Sequence, residues 1–572
     1  MSHQPPPVPG DHLRRFDPDP ERGAEIEQQS PGERDPGPEP RANKVRWGGL
    51  AAGLVAAVII YLLMGDVAHP AKLTAAVAVL MGIWWMTEAL PIPATALVPL
   101  VVFPVLGEAS VNDVGASYGN SIIFLFMGGF MLALAMQRWN LHRRIALVTV
   151  RAMGTNPTMV VAGFMLATAF LSMWVSNTAT AVMMLPIGVS VLMLVTSLGE
   201  EVGAQPTTAG ADGREDGGSQ TVDRGTPGGT AVAGAPVGEA GSDGEPDLQS
   251  KAVKEAVIES NFGTALMLGI AYAASIGSLS TIIGTPPNTL MVGYLAENHD
   301  ITIGFGQWMM VGVPLSAVFL VICWFLLTKV IFKPEIDEIP GGRELMDREV
   351  GKLGRMSQGE IRVLAIFVLA ALSWVFVPFI WPDNTPISDT GIAMAVALLL
   401  FLLPAGAARG VRLLDWETAV QLPWGVLLLF GGGLALSAQF GDSGLTEWIG
   451  TQAEGLGGLP VVLLVVVFTA GIIFLTELTS NTATAATFLP VAGGVALGIG
   501  VDPMLLVIPV ALAATCAFML PVATPPNAIA FGSGYVTIPQ MMKGGLWLNL
   551  IGIVLVTITV MTLAVWVFSI VY

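Results

Sequence analysis

Apolar runs recur along most of this 572-residue chain, and they constrain its fold more than any other feature. Many are close to ~20 residues long, enough to cross the ~30 Å hydrocarbon core of a bilayer as a helix. Hydrophobic residues make up 53% of the chain and charged residues 12%, which is about half the charged share of a soluble protein. The sequence therefore predicts an all-α polytopic membrane protein, with membrane lipid as its surroundings.

The apolar runs divide into about 11 transmembrane helices and two hairpins. The crossings are predicted at 47–64, 71–88, 91–107, 118–137, 260–292, 306–331, 360–380, 388–403, 418–440, 503–538 and 543–571, and the hairpins at 157–198 and 458–497. If each hairpin returns to the side it came from, the segments on the side of the N-terminus, together with the ends of the crossings that touch them, hold 25 of the 26 Lys and Arg residues. Positive residues mark the cytoplasmic side. We therefore expect a plasma-membrane protein with a cytoplasmic N-terminus and an external C-terminus.

Two polar segments interrupt this pattern. Residues 1–46 are rich in proline and charge, and residues 199–255 are rich in Gly, Asp, Glu and Thr. Neither can bury enough apolar surface to offset its chain entropy. We expect a disordered cytoplasmic tail and a disordered cytoplasmic insert, and deletion of 201–248 is expected to leave function largely intact.

Several phrases of the sequence occur twice in the same order. SMWVSNTATAVMMLP starts at Ser172, and TELTSNTATAATFLP starts 304 positions later at Thr476. GTPPNTL starts at Gly284, and ATPPNAI starts at Ala523. An odd number of crossings separates the two sets, so the halves run in opposite directions. Inverted-topology repeats with interrupted helices are typical of secondary transporters, which bind their cargo near the middle of the membrane.

The repeated phrases carry uncharged oxygen ligands at breaks in apolar helices. Hydroxyl, amide and freed carbonyl oxygens suit a small hard cation, and a hydroxyl one helical turn upstream faces the same ion. The helix that starts after each break directs free N–H groups and a positive dipole end at an anion. The residues in this pattern are Ser172, Ser176, Asn177 and Thr178 in the first half and Thr476, Ser480, Asn481 and Thr482 in the second.

Together with MTEALPIPATALVPL at 86–100, the paired SNTAT and TPPN phrases resemble the divalent anion:sodium symporter family. The resemblance implies a homodimer of elevator-type transporters with sodium as the coupling ion and no organic cofactor. It implies scaffold helices at 47–155 and 336–457 and a moving transport domain at 156–198, 256–335, 458–500 and 501–572, with 156–198 and 458–500 as re-entrant hairpins.

The resemblance also implies the binding residues. The first sodium site would comprise Ser172, Ser176, Asn177 and Gly284, and the second would comprise Thr476, Ser480, Asn481 and Ala523. A small dianionic substrate would contact Ser176, Asn177, Thr178, Thr285, Pro286, Ser480, Asn481, Thr482, Thr524 and Pro525.

The function expected from this is sodium-coupled symport of a C4-dicarboxylate such as succinate. The alternatives are a sodium-coupled citrate or sulfate carrier and a sodium-independent dicarboxylate exchanger. An enzyme is disfavoured because the sequence offers no catalytic set at membrane depth, and no nucleic-acid partner is expected. An ion channel is disfavoured because interrupted helices in inverted repeats suit alternating access.

Three other features invite a simpler interpretation. Glu88 and Glu477 lie within apolar segments, where acidic residues are candidates for function. We expect both to brace helix ends instead. The basic, amphipathic segment 138–151 is expected to lie along the inner membrane surface.

Overall fold

The computed structural model describes residues 40–203, 260–336, 338–339, 342–381 and 385–571. Within these ranges the chain forms helices and no strand. The helices that precede residue 341 are α1 (Pro40–Leu63), α2 (His69–Thr87), α3 (Val98–Leu106), α4 (Ser121–Arg138), α5 (Leu141–Ala152), α6 (Pro157–Ser172), α7 (Asn177–Gly203), α8 (Asn261–Ser278), α9 (Pro286–His299) and α10 (Phe305–Phe325).

Ten further helices follow after residue 341 within the described residues. They are α11 (Gly342–Lys352), α12 (Gln358–Ile380), α13 (Asp389–Leu402), α14 (Trp424–Asp442), α15 (Leu445–Ala453), α16 (Val461–Thr476), α17 (Asn481–Gly498), α18 (Met504–Thr515), α19 (Pro525–Gly532) and α20 (Ile538–Thr559). Short turns at Ile92–Thr95, Val111–Ala116, Ser117–Gly119 and Trp416–Ala419 precede α3, α4 and α14.

Seven of the described helices, counted with their short extensions, are long and apolar enough to cross a membrane. Helices α15 and α16 pass the same test together but are bent by 118° at the break between them. Shorter apolar helices lie at the predicted crossings 91–107, 388–403 and 503–538 and in both arms of the first predicted hairpin. The chain is therefore a multi-pass membrane protein, with helices at every position where the sequence predicts an apolar segment.

Some boundaries differ from the expected ones. Helix α1 begins at Pro40 and so overlaps the predicted tail over 40–46, and α7 extends to Gly203, past the predicted hairpin end at 198. The rest of both polar segments lies outside the described residues. Helices α11 and α15 lie where the sequence predicted polar connections. The sequence did not predict them, because short amphipathic helices contain no long apolar run.

The order of helices from α4 to α10 is the order from α14 to α20. Helices α6 and α16 each have 16 residues and end at Ser172 and Thr476, while α7 and α17 start at Asn177 and Asn481. Helices α10 and α20 each continue into a π-helical turn, at Leu326–Ile331 and Val560–Ala564. The two series of helices therefore match also in features that no sequence motif marks, such as these π-helical turns.

Glycines allow close approach of several of these helices. A Cβ at Gly277 of α8 would lie 2.4 Å from the Ala169 backbone of α6, and one at Gly545 of α20 would lie 2.2 Å from Phe518 O. Such contacts leave no room for a side chain. Close packing through small residues is how membrane helices associate where burial of apolar surface gives little driving force.

Candidate functional site

Four helices begin at the four predicted breaks. Helices α7 and α17 start at Asn177 and Asn481, and α9 and α19 start with the prolines Pro286 and Pro525. Proline suits the first helical position because its missing N–H would have had no partner there. Each start leaves backbone N–H groups with a positive dipole end, which favours an anion.

The halves of the chain interleave at these helix starts. Helix α9 of the first half packs against α17 and α18 of the second, and α19 packs against α7 and α8. One hydrogen bond joins the breaks directly, since Thr285 Oγ1 lies 3.2 Å from Thr515 Oγ1 in a fully buried position. The breaks of both halves therefore belong to one region of the molecule.

Oxygen atoms converge on Asn481 at the second Ser-Asn-Thr phrase. One terminal atom of its amide lies 3.0 Å from Thr476 Oγ1, 3.1 Å from Ala514 O and 2.9 Å from Ala523 O. An amide nitrogen at this position would donate to all three oxygens. An amide oxygen there would complete a set of four oxygens, the ligand type that hard cations take. Three of the four residues expected at the second sodium site thus lie together.

The first Ser-Asn-Thr phrase has the corresponding anchor. Ser172 Oγ donates to Ala274 O at 2.6 Å, as Thr476 Oγ1 donates to Ala514 O at 3.1 Å. Asn177 is buried, and its Oδ1 accepts from the Thr178 N–H at 3.1 Å.

Two further residues of the expected first sodium site have local contacts. Ser176 Oγ accepts from the Ala179 N–H at 3.3 Å. A Cβ at Gly284 would lie 2.3 Å from Ser278 O, so this backbone passes too close for any side chain. Among the described residues, no hydrogen bond joins Ser172, Ser176, Asn177 and Gly284 to one another, whereas Thr476 and Ala523 of the second site converge on Asn481.

The expected substrate-binding residues differ in exposure. Thr285 and Thr524 are buried, and Thr524 caps α19 by accepting from the Asn527 N–H at 3.3 Å. Asn177 and Asn481 are buried as well. The other six are accessible in part or fully, which a binding surface requires; they are Ser176, Thr178, Pro286, Ser480, Thr482 and Pro525. The hydroxyl-bearing helix starts therefore keep an accessible side.

Glu477 braces the second break, as expected. Its Oε1 accepts from the Phe518 N–H at 2.7 Å, the Met519 N–H at 2.9 Å and Asn549 Nδ2 at 2.6 Å, and its Oε2 accepts from the Leu520 N–H at 2.9 Å. The carboxylate thus satisfies the unwound backbone between α18 and α19. Glu88 is exposed and follows α2 in a left-handed conformation with a φ of 47°.

Two asparagines that the sequence reasoning passed over hold the breaks in shape. Asn288 Nδ2 donates to Thr281 O at 2.9 Å and to Leu279 O at 3.3 Å, and Asn527 Nδ2 donates to Leu520 O and Ala517 O, both at 3.2 Å. In both residues Oδ1 is buried without a hydrogen-bond partner. The signal was in the sequence, because each is the last residue of a TPPN phrase.

The basic segment at 138–151 makes ion pairs instead of presenting free charge. In α5, Arg144 pairs with Glu360 at 2.8 Å, Arg143 with Glu349 at 3.4 Å and Arg151 with Asp347 at 2.7 Å. The acids belong to α11 and α12. The sequence could not predict these partners, because they lie about 200 residues away, where no periodicity reports contact.

Arg138, at the start of the basic segment, pairs with a carboxyl that has a lowered pKa. Asp415 accepts from the Thr418 hydroxyl and N–H at the start of a short helix and pairs with Arg138. The Thr418 bonds, with the Arg138 charge, lower the pKa of Asp415 to about 2. This group is therefore ionised throughout the neutral range.

Comparison with protein families decides the relationship that the repeated phrases suggested. The family model for the sodium:sulfate symporter transmembrane region matches residues 44–570. The chain belongs to the divalent anion:sodium symporter family. Membership of this family confirms the resemblance drawn from the SNTAT and TPPN phrases.

Curated relatives agree with the family match over nearly full length. A sodium-dependent dicarboxylate transporter SdcS of Staphylococcus saprophyticus is 38% identical over 522 residues, which cover 90% of this chain and 91% of the relative. The SdcS of Staphylococcus aureus is 39% identical with the same coverage. Among solved structures, the Alcanivorax borkumensis YdaH transporter aligns with a TM-score of 0.48 at 14% identity, over 86% of this chain and 98% of that one.

Proposed function

We propose that this protein is a sodium-coupled symporter of a C4-dicarboxylate such as succinate. Both staphylococcal relatives carry the name of sodium-dependent dicarboxylate transporters. The observation that carries the proposal in the structure is the set of oxygens around Asn481. It gives the chain a cation ligand set beside the start of a helix that can face an anion.

The donor chemistry fits sodium. A monovalent hard cation takes neutral hydroxyl, amide and carbonyl oxygens. Thr476 supplies a hydroxyl, Ala514 and Ala523 supply carbonyls, and Asn481 would supply the amide oxygen when its side chain turns that atom toward them. We assign the second sodium site to this group with Ser480, and the first to Ser172, Ser176, Asn177 and Gly284. Each site lies next to a helix start, so a bound cation would offset the cost of bringing a dianion into a low-dielectric region.

The dianion then binds between the two Asn-Thr helix starts. Its carboxylates would meet the N–H groups and hydroxyls of Ser176, Asn177, Thr178, Ser480, Asn481 and Thr482, with Thr285, Pro286, Thr524 and Pro525 beside them. No lysine or arginine occurs in any of the four phrases. Affinity for the dianion should therefore depend on bound sodium, which couples the two cargoes.

We assign the matched halves α4–α10 and α14–α20 to two inverted repeats. The N-terminus is cytoplasmic in this proposal and the C-terminus external. The hairpins α6–α7 and α16–α17 with α8–α10 and α18–α20 form the moving domain of an elevator. The remaining helices form the scaffold of a homodimer. The matched packing of α9 on α17 and of α19 on α7 supports this division.

Uptake by the purified protein in proteoliposomes tests the function. Labelled succinate should accumulate against its gradient only when sodium is higher outside. Citrate and sulfate are measured in parallel, because the family description names sulfate. Accumulation of one of these alone would replace the dicarboxylate assignment, and sodium-independent exchange of internal for external succinate would contradict symport.

A further inference from the structure

Thr515 is the last residue of α18 and connects the two proposed sodium sites. The carbonyl of the residue before it, Ala514, accepts from Thr476 Oγ1 at 3.1 Å in the second site. The hydroxyl of Thr515 lies 3.2 Å from Thr285 Oγ1, and Thr285 directly follows Gly284 of the first site in the chain. A short path through one hydrogen bond therefore joins a ligand of one site to a ligand of the other.

Close packing holds both ends of this path. Thr285 and Thr515 are fully buried, at 0% exposure. A Cβ at Gly284 would lie 2.3 Å from Ser278 O, so the backbone of the first site has no free space on that side. Helix α18 packs against both α16 and α9. Because close-packed interiors transmit strain, a shift of α18 at one site is expected to reach the other.

The matched threonines of the two Thr-Pro-Pro-Asn breaks use their hydroxyls differently. Thr524 caps α19 by accepting from the Asn527 N–H at 3.3 Å. Thr285 precedes α9 in the same position, but its side chain makes no cap bond to the described start of α9. Threonine is a favoured N-cap residue, and a cap bond stabilises its helix. The Thr285 hydroxyl therefore contacts Thr515 in place of its own helix.

The residue of α8 that corresponds to Thr515 is Ser275. Ser275 follows Ala274, whose carbonyl accepts from Ser172 Oγ at 2.6 Å, as Thr515 follows Ala514. Ser275 is 0% exposed, and its Oγ has no hydrogen-bond partner within the described part of the chain. The hydroxyl link between the halves is thus made at Thr515 and not at its counterpart, which makes Ser275 a matched control.

We propose that Thr515 is a positioning residue that couples the two proposed sodium sites through Thr285. This inference rests on the proposed function for the identity of the cation and for the ligands of both sites. A sodium ion at the second site fixes the Ala514 carbonyl, and Thr515 then holds Thr285 and the Gly284 backbone in place for the other ion. Because such coupling is reciprocal, an ion at the first site favours the second site equally.

Equilibrium binding of radioactive sodium to the purified full chain tests the coupling in the absence of substrate. Binding is measured over a range of sodium concentrations, with choline chloride holding the ionic strength constant. Two coupled sites give a Hill coefficient between ~1 and ~2. The variants are Thr515→Val, which removes the hydroxyl and keeps the branched shape, Thr515→Ser, which keeps the hydroxyl, and the control Ser275→Ala.

We expect Thr515→Val to lower the Hill coefficient toward ~1 and to weaken binding of the second ion about fivefold, at the lower end of the usual range of site couplings. The lower end is expected because the 3.2 Å contact is longer than the ~2.7–2.8 Å typical of hydroxyl pairs. Thr515→Ser should restore the cooperativity of wild type. Ser275→Ala should bind sodium as wild type does, because the hydroxyl that it removes has no partner among the described residues.

A second variant covers the case in which Thr515→Val does not fold. The double variant Thr285→Val/Thr515→Val removes both hydroxyls, so neither is left buried without its partner, and such paired replacements are close to neutral for stability. The same loss of cooperativity is expected. Because sodium binding is measured without substrate, the place of Thr285 among the proposed substrate contacts does not affect this test.

Three results would overturn the coupling and leave the proposed function in place. They are unchanged cooperativity in Thr515→Val or in the double variant, an equal loss of cooperativity in Ser275→Ala, and two ions bound to wild type with a Hill coefficient near ~1. A lower unfolding temperature of Thr515→Val with unchanged cooperativity would give Thr515 a role in stability alone. Wild-type protein that binds no sodium would instead contradict the proposed sodium coupling and this inference together.

Discussion

Asn481 lies at the centre of the proposed second sodium site, because one terminal atom of its amide lies within 3.1 Å of three oxygens. Asn481→Ala removes the central ligand, and loss of a group at or beside a metal site costs about 10–100-fold in metal affinity. We expect sodium-driven uptake to disappear at ordinary sodium concentrations while expression is retained, and Asn177→Ala to behave alike. Uptake measured against sodium concentration, with sodium-dependent thermal stabilisation, checks this. Asn140→Gly is the control, because Asn140 is exposed and its φ of 54° is a conformation that glycine adopts readily. Unchanged sodium dependence in Asn481→Ala would show that Asn481 does not belong to the sodium site.

Glu477 stabilises the unwound segment after α18 through four donors to its carboxylate. Glu477→Gln puts an amide NH2 against a backbone N–H, and hydrogen bonds to charged groups contribute about 1.5–3 kcal/mol each. We expect a clearly lower unfolding temperature in detergent and slower uptake. Glu477→Met, which copies Met173 of the first half, should be worse because it removes every acceptor. The exposed control Glu88→Gln should have a free energy of unfolding within about 0.5 kcal/mol of wild type. Equal losses of stability in Glu477→Gln and Glu88→Gln would contradict a bracing role for Glu477.

Asn288 and Asn527 stabilise the two Thr-Pro-Pro-Asn breaks in the same way, because each side-chain amide donates to two backbone carbonyls. Replacing either with alanine leaves two buried carbonyls without their donor, at a cost of about 1–3 kcal/mol. We expect Asn288→Ala and Asn527→Ala to lower the unfolding temperature by similar amounts and to weaken uptake. Asn288→Asp should be more severe, because a carboxylate repels Thr281 O and Leu279 O. Thermal unfolding of all three variants tests this, and a stable, active Asn288→Asp would show that these bonds do not hold the break.

At the scale of elements, α5 is fixed by the most buried ion pair of the described residues. The side chains of Arg144 and Glu360 are 13% and 7% exposed, and Arg144 also donates to Gly354 O and Leu353 O at 3.0 and 3.1 Å. Arg144→Ala leaves the buried Glu360 carboxylate with the Ser357 N–H, at 2.7 Å, but without its counter-charge; breaking a buried pair in this way costs up to about 3–5 kcal/mol. The exposed pair of Arg151 and Asp347 should contribute about 0–1 kcal/mol.

We therefore expect Arg144→Ala to lower the unfolding temperature far more than Arg151→Ala. Adding Glu360→Gln to Arg144→Ala should restore part of the loss, because the uncompensated charge is gone. A double-mutant cycle in detergent measures the coupling. Additive effects would mean that Arg144 acts through its carbonyl contacts alone.

Element positions were predictable where a break or a long apolar run marks them. The starts at Asn177, Pro286, Asn481 and Pro525 follow from proline chemistry and from polar phrases inside apolar stretches. Helix α15 was not predictable, because it is short and contains Glu447 and other polar residues. Its packing on α17 depends on glycines 48 residues apart, Gly450 and Gly498, and a single sequence gives no contact information over such distances.

At the scale of the whole molecule, the matched order of the two halves was predictable and their interleaving was not. The phrases give order and spacing along the chain, but only coordinates bring Thr285 to Thr515 or α9 onto α17. The same limit applies to the site. Residue types at the breaks indicate oxygen ligands, while the convergence on Asn481 depends on Ala514, which belongs to no repeated phrase.

The connection between hairpin and interrupted helix also differs between the halves. In the second half, α17 ends at Gly498 and α18 begins at Met504, so residues 499–503 make the connection. In the first half, α7 ends at Gly203 and α8 begins at Asn261. Because the second half needs so short a connection, deletion of 201–248 leaves enough chain to join α7 to α8. We expect the deletion variant to fold and to retain most sodium-driven uptake, measured in proteoliposomes beside wild type. A scrambled 201–248 segment of equal composition is the control for length; a deletion variant that is expressed and stable but inactive would show that the insert contributes to transport itself.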